Sequence, residues 1–193
     1  SYDSFSVSGR DIRFGLAAVK GVGRSFMKQL VEEREDGGLF TSFQDFCERM
    51  YDRELNRRAL ESLIKAGAFD SMGYRRSQLI KIVNAVVDAI AQSRRKNIEG
   101  QMDLFGMGND AVQDTQIALP DIPEVSKREL LSMEKETTGL YLSGHPMDEY
   151  RELAQKASAA SIRRIIDDLS GENASPAYKD GMTVRLACVI TAV

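Results

Sequence analysis

One histidine and two cysteines in 193 residues leave little from which to build a metal site or a nucleophilic catalytic set. Cys47 and Cys188 lie far apart, and neither belongs to a Cys-x-x-Cys pair. No zinc set and no disulfide framework is suggested, so no metal ligand is assigned. Two unpaired thiols fit a reducing compartment, and a cytoplasmic protein is expected. His145 stands before Pro146 and reads as a turn or packing residue rather than a ligand. With one histidine no nucleophile–base set can be assembled, and there is no Gly-rich loop ending in Lys-Ser/Thr. No catalytic residue is assigned. Tryptophan is absent, no apolar run approaches a membrane span, and the start does not read as a signal peptide.

Charge of one sign is not in excess either. The formal net charge of -3 argues against a wholesale nucleic-acid coat. The charges are nevertheless unevenly placed. Arg10, Arg13, Lys20, Arg24, Lys28 and Arg34 fall early, followed by Arg53, Arg57, Arg58, Lys65, Arg75, Arg76 and Lys81. From Glu99 to Glu136 the balance turns acidic. A basic first half and an acidic middle imply different tasks. The carboxylate neighbours Asp167-Asp168 and Glu134/Glu136 read as solvated helix faces.

What is there centres on Val19-Lys20-Gly21-Val22-Gly23-Arg24. Apolar residues lead in from Leu16, and Phe26, Met27, Leu30 and Val31 lead out at helical spacing. Two glycines around one apolar residue suit a tight hairpin, with Val22 tucked inward and each glycine free to take positive φ. The N–H groups near Gly23, Arg24 and Ser25 would open a helix whose first donors have no intrahelical partner. The positive end of the helix dipole then favours an anion, usually a phosphate. Lys20, Arg24 and Lys28 fall at i, i+4 and i+8 on or beside the turn. This is the physics of a helix-hairpin-helix, which grips a nucleic-acid backbone without reading bases. The plainer alternative is a turn that only joins two packed helices.

The rest of the first half is helical in pattern. Leu16 to Val19 is too short to stand alone as the first helix of the hairpin, and the second runs to about Asp36 and stops at Gly37-Gly38. Thr41 or Ser42 caps a helix through Phe43, Phe46, Cys47 and Met50. Leu55 to Ala66 forms an amphipathic helix ending at Gly67. A further helix starts near Tyr74 and is closed by Arg94-Arg95-Lys96. This second helix–turn–helix, with Gly73 at the turn and Arg75 and Arg76 at its mouth, is a degenerate repeat of the first, some fifty residues on. An ordinary helical hairpin is its simpler reading. Ser1 to Phe14 suggest an extended lead-in.

The second half alternates loops and short helices. Gly100, Gly106 and Gly108 bracket an exposed Leu104-Phe105 tip in a polar, acidic stretch. Such a tip folds back on its own core or fits a partner's pocket. Lys127 to Glu136, Asp148 to Ala157 and Ser161 to Leu169 read as helices. Met182 to Val193 reads as a strand, and one strand is no sheet. A start at Ser1 and an apolar final run lead us to expect a piece of something longer.

At the level of whole blocks the chain resembles the alpha subunits of bacterial replicative DNA polymerase III, the C-family polymerases. The resemblance rests on Ile12 to Leu16 running into Val19 to Gly23, on Leu55 to Arg58, on Ala66 to Asp70, on Gln101 to Phe105, and on Glu134 to Pro146. Gly139 to Pro146 is its most specific block. It implies a mainly α segment in four parts: a tandem helix-hairpin-helix DNA-binding domain over 1–98, an acidic loop with a clamp-binding motif over 99–125, a helical connector over 126–180, and the first strand of a truncated OB-like domain over 181–193. The family's clamp motif has the form Gln-x-Asp/Ser-Leu-Phe, which Gln101, Met102, Asp103, Leu104 and Phe105 fit. Leu104 and Phe105 would fill an apolar cleft on the sliding clamp, for about 3–6 kcal/mol gross. The expected phosphate contacts are Lys20, Gly21, Val22, Gly23, Arg24, Ser25 and Lys28, with Arg75 and Arg76. Expected partners are duplex DNA, the beta sliding clamp and the other parts of the replicative holoenzyme, with no membrane. In the family the catalytic aspartates lie in the palm, upstream of the region this chain resembles, so none is carried over and no cofactor is expected in this segment, while the parent polymerase is expected to use Mg2+. The rival reading is a helix-hairpin-helix module of a repair or recombination protein, which leaves Gln101 to Phe105 without a purpose.

Overall fold

The computed structural model describes residues 4–102, 117–171 and 175–190. It divides into two compact units, Ser1–Leu142 and Ser143–Val193. The first unit opens with a two-stranded antiparallel hairpin, β1 (Ser6–Ser8) and β2 (Asp11–Arg13), in register Val7 opposite Ile12. A 3-10 turn at Leu16–Ala18 follows. Five helices then complete the unit: α1 (Arg24–Gly37), α2 (Phe43–Met50), α3 (Arg57–Lys65), α4 (Arg76–Met102) and α5 (Lys127–Thr138).

Their ends follow local chemistry. Ser42, Asn56 and Ser126 stand just before α2, α3 and α5, and each side-chain oxygen accepts an N–H of the first turn. Ser126 and Glu129 complete a capping box. Gly38 (φ +77°) ends α1 and Gly139 (φ +77°) ends α5, in conformations a side chain resists. The apolar stripes meet in one core. Phe26, Met27 and Leu30 of α1 pack with Phe46, Cys47 and Met50 of α2, Leu60, Leu63 and Ile64 of α3, and Leu79, Val83 and Val86 of α4. Phe69, in the turn after α3, packs edge-to-face with Phe43 and with Phe46, the ring centroids 5.0 Å apart in each pair. Burial pushes the Cys47 thiol pKa up, with Glu48 adding to it, so this cysteine is an inert core residue.

One ion cluster crosses this core. Arg76, at the start of α4, is 4% exposed. Its guanidinium donates to both Asp70 oxygens (2.6 Å to Oδ2), to the Lys65 carbonyl (3.0 Å) and to Glu134 Oε1 of α5 (3.0 Å). Glu134 is fully buried, and its Oε2 accepts the N–H of Leu142 at 2.7 Å. Burial pulls the Arg76 pKa down, but Asp70 and then Glu134 outweigh it, and the net shift is upward. Gly67 makes room for the cluster. Its φ is +79°, and a Cβ there would lie 2.7 Å from Asp70 Oδ2 and run into the Arg76 guanidinium. Glu134 is therefore no solvated helix face, contrary to expectation.

A second carboxylate caps α4. Glu124, from the extended stretch before α5, accepts the N–H groups of Arg76 (2.7 Å) and Ser77 (3.0 Å). Burial raises its pKa, the N–H groups of Ser77, Val125 and Arg76 lower it more, and the net shift is downward.

Three boundaries differ from the sequence reading. The helix expected to close at Arg94 to Lys96 continues through Gly100 to Met102, so the division at 98/99 falls inside α4. A single glycine lowers helix stability by about 1 kcal/mol without ending the helix. α5 packs on α3 within the first unit instead of serving as a connector. Residues 182–190 join no sheet among the described residues. The Arg185 carbonyl accepts the Ala160 N–H at 2.7 Å and its guanidinium donates to the Ala157 carbonyl at 2.8 Å, so the segment is held against residues 157–160. That second unit comprises a 3-10 turn at Asp148–Tyr150, α6 (Arg151–Lys156) and α7 (Ile162–Leu169). Among the described residues no helix is long and apolar enough to cross a membrane.

Two stability predictions follow from the carboxylates. Glu134→Ala strands a buried guanidinium and is expected to cost about 3 kcal/mol in urea unfolding. Asp70→Ala removes the partner on the half-exposed side of the cluster, where water can reach the freed donors, and should cost less, about 1–2 kcal/mol. Equal losses would show that burial does not set the strength of these pairs. Glu124→Gln should cost about 1 kcal/mol at neutral pH as a lost cap. Because the folded-state pKa of Glu124 lies below its ordinary 4.5, its contribution is complete above that value and is lost as pH falls through the depressed pKa. Melting curves of the two proteins should therefore converge in acid and separate above it.

Candidate nucleic-acid interface

The first hairpin is a turn wedged between two helices. Val19 is 2% exposed and Val22 is 9% exposed, so both apolar residues point inward and leave Lys20, Gly21 and Gly23 outside. The Lys20 N–H donates to the Thr137 carbonyl of α5 at 2.7 Å. Gly21 takes φ +84°, and a Cβ there would lie 2.9 Å from Ser62 Oγ of α3. Gly23 does not need its freedom: it is extended (φ -72°, ψ 147°) as the N-cap of α1. The helix expected before the turn is only the 3-10 turn at Leu16–Ala18, since four apolar residues cannot sustain an α-helix alone.

The start of α1 is left open. Gly23 has no side chain to cap it, and the first turn holds no acidic residue. The starts of α2, α3, α5 and α7 each receive a Ser or Asn oxygen, and α4 receives Glu124. Among the described helices of eight residues or more, α1 alone presents its first N–H groups without a side-chain acceptor. Lys20, Arg24 and Ser25 are exposed around this end. Lys28, one turn on, has 81% of its side chain exposed and lies 3.7 Å from Glu32, a weak surface pair. The arrangement brings together a positive helix end, backbone donors without a side-chain cap and three exposed cations.

The second hairpin is built differently. Gly73 takes the left-handed conformation (φ +80°) at its turn, as the sequence suggests. Its helix start, however, is filled by the chain's own Glu124. Arg76, expected as a phosphate contact, is buried in the cluster with Asp70 and Glu134 and cannot reach a backbone outside. Arg75 stays exposed but donates to the Ile122 carbonyl at 2.8 Å and lies 3.4 Å from Asp121 Oδ1. Arg75 and Arg76 thus hold the protein together. The sequence signal for this was the acidic stretch itself, which supplies Asp121 and Glu124 at the mouth of the hairpin.

The expected clamp motif is only partly placed. Gln101 and Met102 end α4 instead of lying in a loop. Asp103, Leu104 and Phe105 fall outside the described residues. His145 accepts the Met147 N–H on Nδ1 at 3.1 Å, and its own N–H donates to Asp148 at 2.7 Å, which makes it a turn residue. Asp168 is buried and accepts the N–H groups of Ala177 (2.8 Å) and Tyr178 (3.0 Å), so it is not a solvated face.

The sequence was compared with known proteins. Residues 1–79 match the family model described as helix-hairpin-helix motif. The DNA polymerase III subunit alpha of Saccharopolyspora erythraea is 39% identical over 86% of this chain and 14% of its own length. That of Deinococcus radiodurans is 41% identical over 82% of the chain and 12% of its own. That of Chlamydia pneumoniae is 38% identical over 97% and 16%. The chain spans about a seventh of the length of these curated relatives. It carries a helix-hairpin-helix motif in its first 79 residues, and over most of its length it is similar to DNA polymerase III alpha subunits.

Proposed function

We propose that this chain is the DNA-backbone-gripping and clamp-tethering segment of a replicative DNA polymerase, acting in the cytoplasm. The observation that supports the first half is the uncapped start of α1, ringed by Lys20, Arg24 and Lys28, in a protein whose other long helices are capped. Such an end accepts a phosphodiester oxygen on the N–H groups of Gly23, Arg24 and Ser25, while the cations neutralise the neighbouring phosphates. No base edge is contacted, so binding is independent of sequence. That property suits a polymerase, which must hold every sequence it copies. Nucleotidyl transfer, and the Mg2+ it uses, belong to parts of the polymerase outside this segment.

Tethering rests on Gln101 to Phe105. Leu104 and Phe105 would be the anchors in an apolar cleft of the ring-shaped clamp. A single short motif gives a contact of micromolar strength. It becomes tight because polymerase and clamp hold the same DNA, which raises their effective concentration.

Two measurements test the two halves. Duplex binding of the full chain should lie on the order of 10⁻⁴–10⁻⁶ M, with a log–log salt slope of about -2 to -4. Lys20→Gln with Arg24→Gln should reduce that slope by about 2, at unchanged melting temperature, as filter-binding titrations across salt would read out. An unchanged slope makes the hairpin a structural turn only. Separately, Leu104→Ala with Phe105→Ala should remove about 3 kcal/mol of affinity for immobilised clamp, more than a hundredfold, while leaving the melting temperature within a degree or two. A large drop in melting temperature with clamp binding intact would assign both residues to the internal core.

A further inference from the structure

We infer that Arg58, on α3, is a further phosphate-binding residue of the first hairpin, with the phosphodiester backbone of duplex DNA as its ligand; the inference rests on the reading of that hairpin as a DNA-backbone site. α3 begins with two arginines, Arg57 and Arg58, directly after its Asn56 cap. The first turn of a helix is the wrong place for cations, because the dipole there is already positive, and α3 has no acidic residue in that turn to compensate. Arg57 is relieved by an ion pair with Asp88 of α4. Arg58 is exposed and has no carboxylate partner among the described residues. Its stem and head lie over the hairpin turn: Nε is 3.6 Å and Cγ 3.7 Å from where a Cβ on Gly21 would stand. A glycine at 21 therefore lets the arginine of a different helix lie against the very turn that precedes the open start of α1. A repulsive cation held in a defined place, beside a turn flanked by Lys20 and Arg24, is locally unfavourable until an anion arrives. A guanidinium also offers two parallel donors to a phosphate, which the lysine of the turn cannot. The hairpin site is thus assembled from two segments distant in sequence, with the turn supplying backbone N–H groups and α3 supplying the fork.

The test compares Arg58→Gln, Arg57→Gln and Arg24→Gln in the full chain, titrating a short duplex of arbitrary sequence over a range of salt. Arg58→Gln keeps the stem over Gly21 and removes the charge. It is expected to weaken binding on the order of tenfold and to reduce the salt slope by about 1. Arg57→Gln, whose charge is already spent on Asp88, should bind like the parent chain. Arg58→Lys should keep the parent's salt slope while losing part of the affinity, and it carries the test if Arg58→Gln lowers the melting temperature. If Arg24→Gln weakens binding and Arg58→Gln does not, the assignment of Arg58 is overturned and the hairpin reading stands. Equal losses from Arg57→Gln and Arg58→Gln overturn it too, since general charge rather than placement would then matter. If all three variants bind like the parent, the hairpin reading itself fails and this inference with it.

Discussion

A single buried guanidinium ties together the larger unit. Arg76 bonds the end of α3 through the Lys65 carbonyl, the following turn through Asp70, and α5 through Glu134, while standing itself at the start of α4. Glu134 passes the connection on to the Leu142 N–H. Desolvating such a cluster costs several kcal/mol per ion, and only near-complete hydrogen bonding repays it. That requirement explains Gly67, where any side chain would collide with the cluster. The bonds also use what an arginine has and a lysine lacks: they leave from three separate nitrogens, Nε, Nη1 and Nη2, whereas a lysine carries its three donors on one.

The same cluster separates two hairpins of like design. In both, a glycine turn precedes a helix whose first N–H groups need acceptors. In the second the chain supplies them from within, with Glu124 on the N–H groups and Asp121 and the Ile122 carbonyl on Arg75. In the first no described residue supplies a side-chain cap, and the helix is held instead by Val22, Phe26, Met27 and Leu30 in the core. Burying these four side chains contributes roughly 6–12 kcal/mol gross, against about 1 kcal/mol for a missing cap. An open end is therefore tolerable at α1, and the site stays available without unfolding anything.

Legibility in the sequence followed the range of the interactions. Helices set by a local cap and an apolar stripe were readable: Ser42 before α2, Leu60, Leu63 and Ile64 along α3, and Gly38 after α1 all stand as their residue types imply. The inward Val22 of the first hairpin was readable for the same reason. What failed depended on partners far along the chain. Arg76 looked like a surface cation because Asp70 is six residues away and Glu134 fifty-eight. Glu124 looked like one more acid in an acidic stretch, since nothing local marks it as the cap of a helix that starts 48 residues earlier. Arg94 to Lys96 looked like the close of α4, but the helix runs on through Gly100, since one glycine only weakens a helix. The final apolar run looked like a strand, yet strand formation needs a hydrogen-bonding neighbour, and among the described residues Arg185 is engaged by Ala157 and Ala160 instead.

α5 carries the consequence of the buried cluster to the open hairpin. Glu134 and Thr137 are three residues apart on that helix, hence on one face. Glu134 is fixed by Arg76, and the Thr137 carbonyl accepts the Lys20 N–H at 2.7 Å. A carbonyl in the last turn of a helix has no intrahelical donor, so it is free to hold the hairpin turn. Thr137 is itself 4% exposed, and its hydroxyl donates to the Met133 carbonyl at 2.7 Å. Lys20 is thereby placed by its backbone while its ammonium stays in solvent. Position comes from the buried ion cluster by way of α5, and charge comes from residues that the core leaves outside. Loosening Glu134 would consequently shift the placement of Lys20 without touching any cation at the interface.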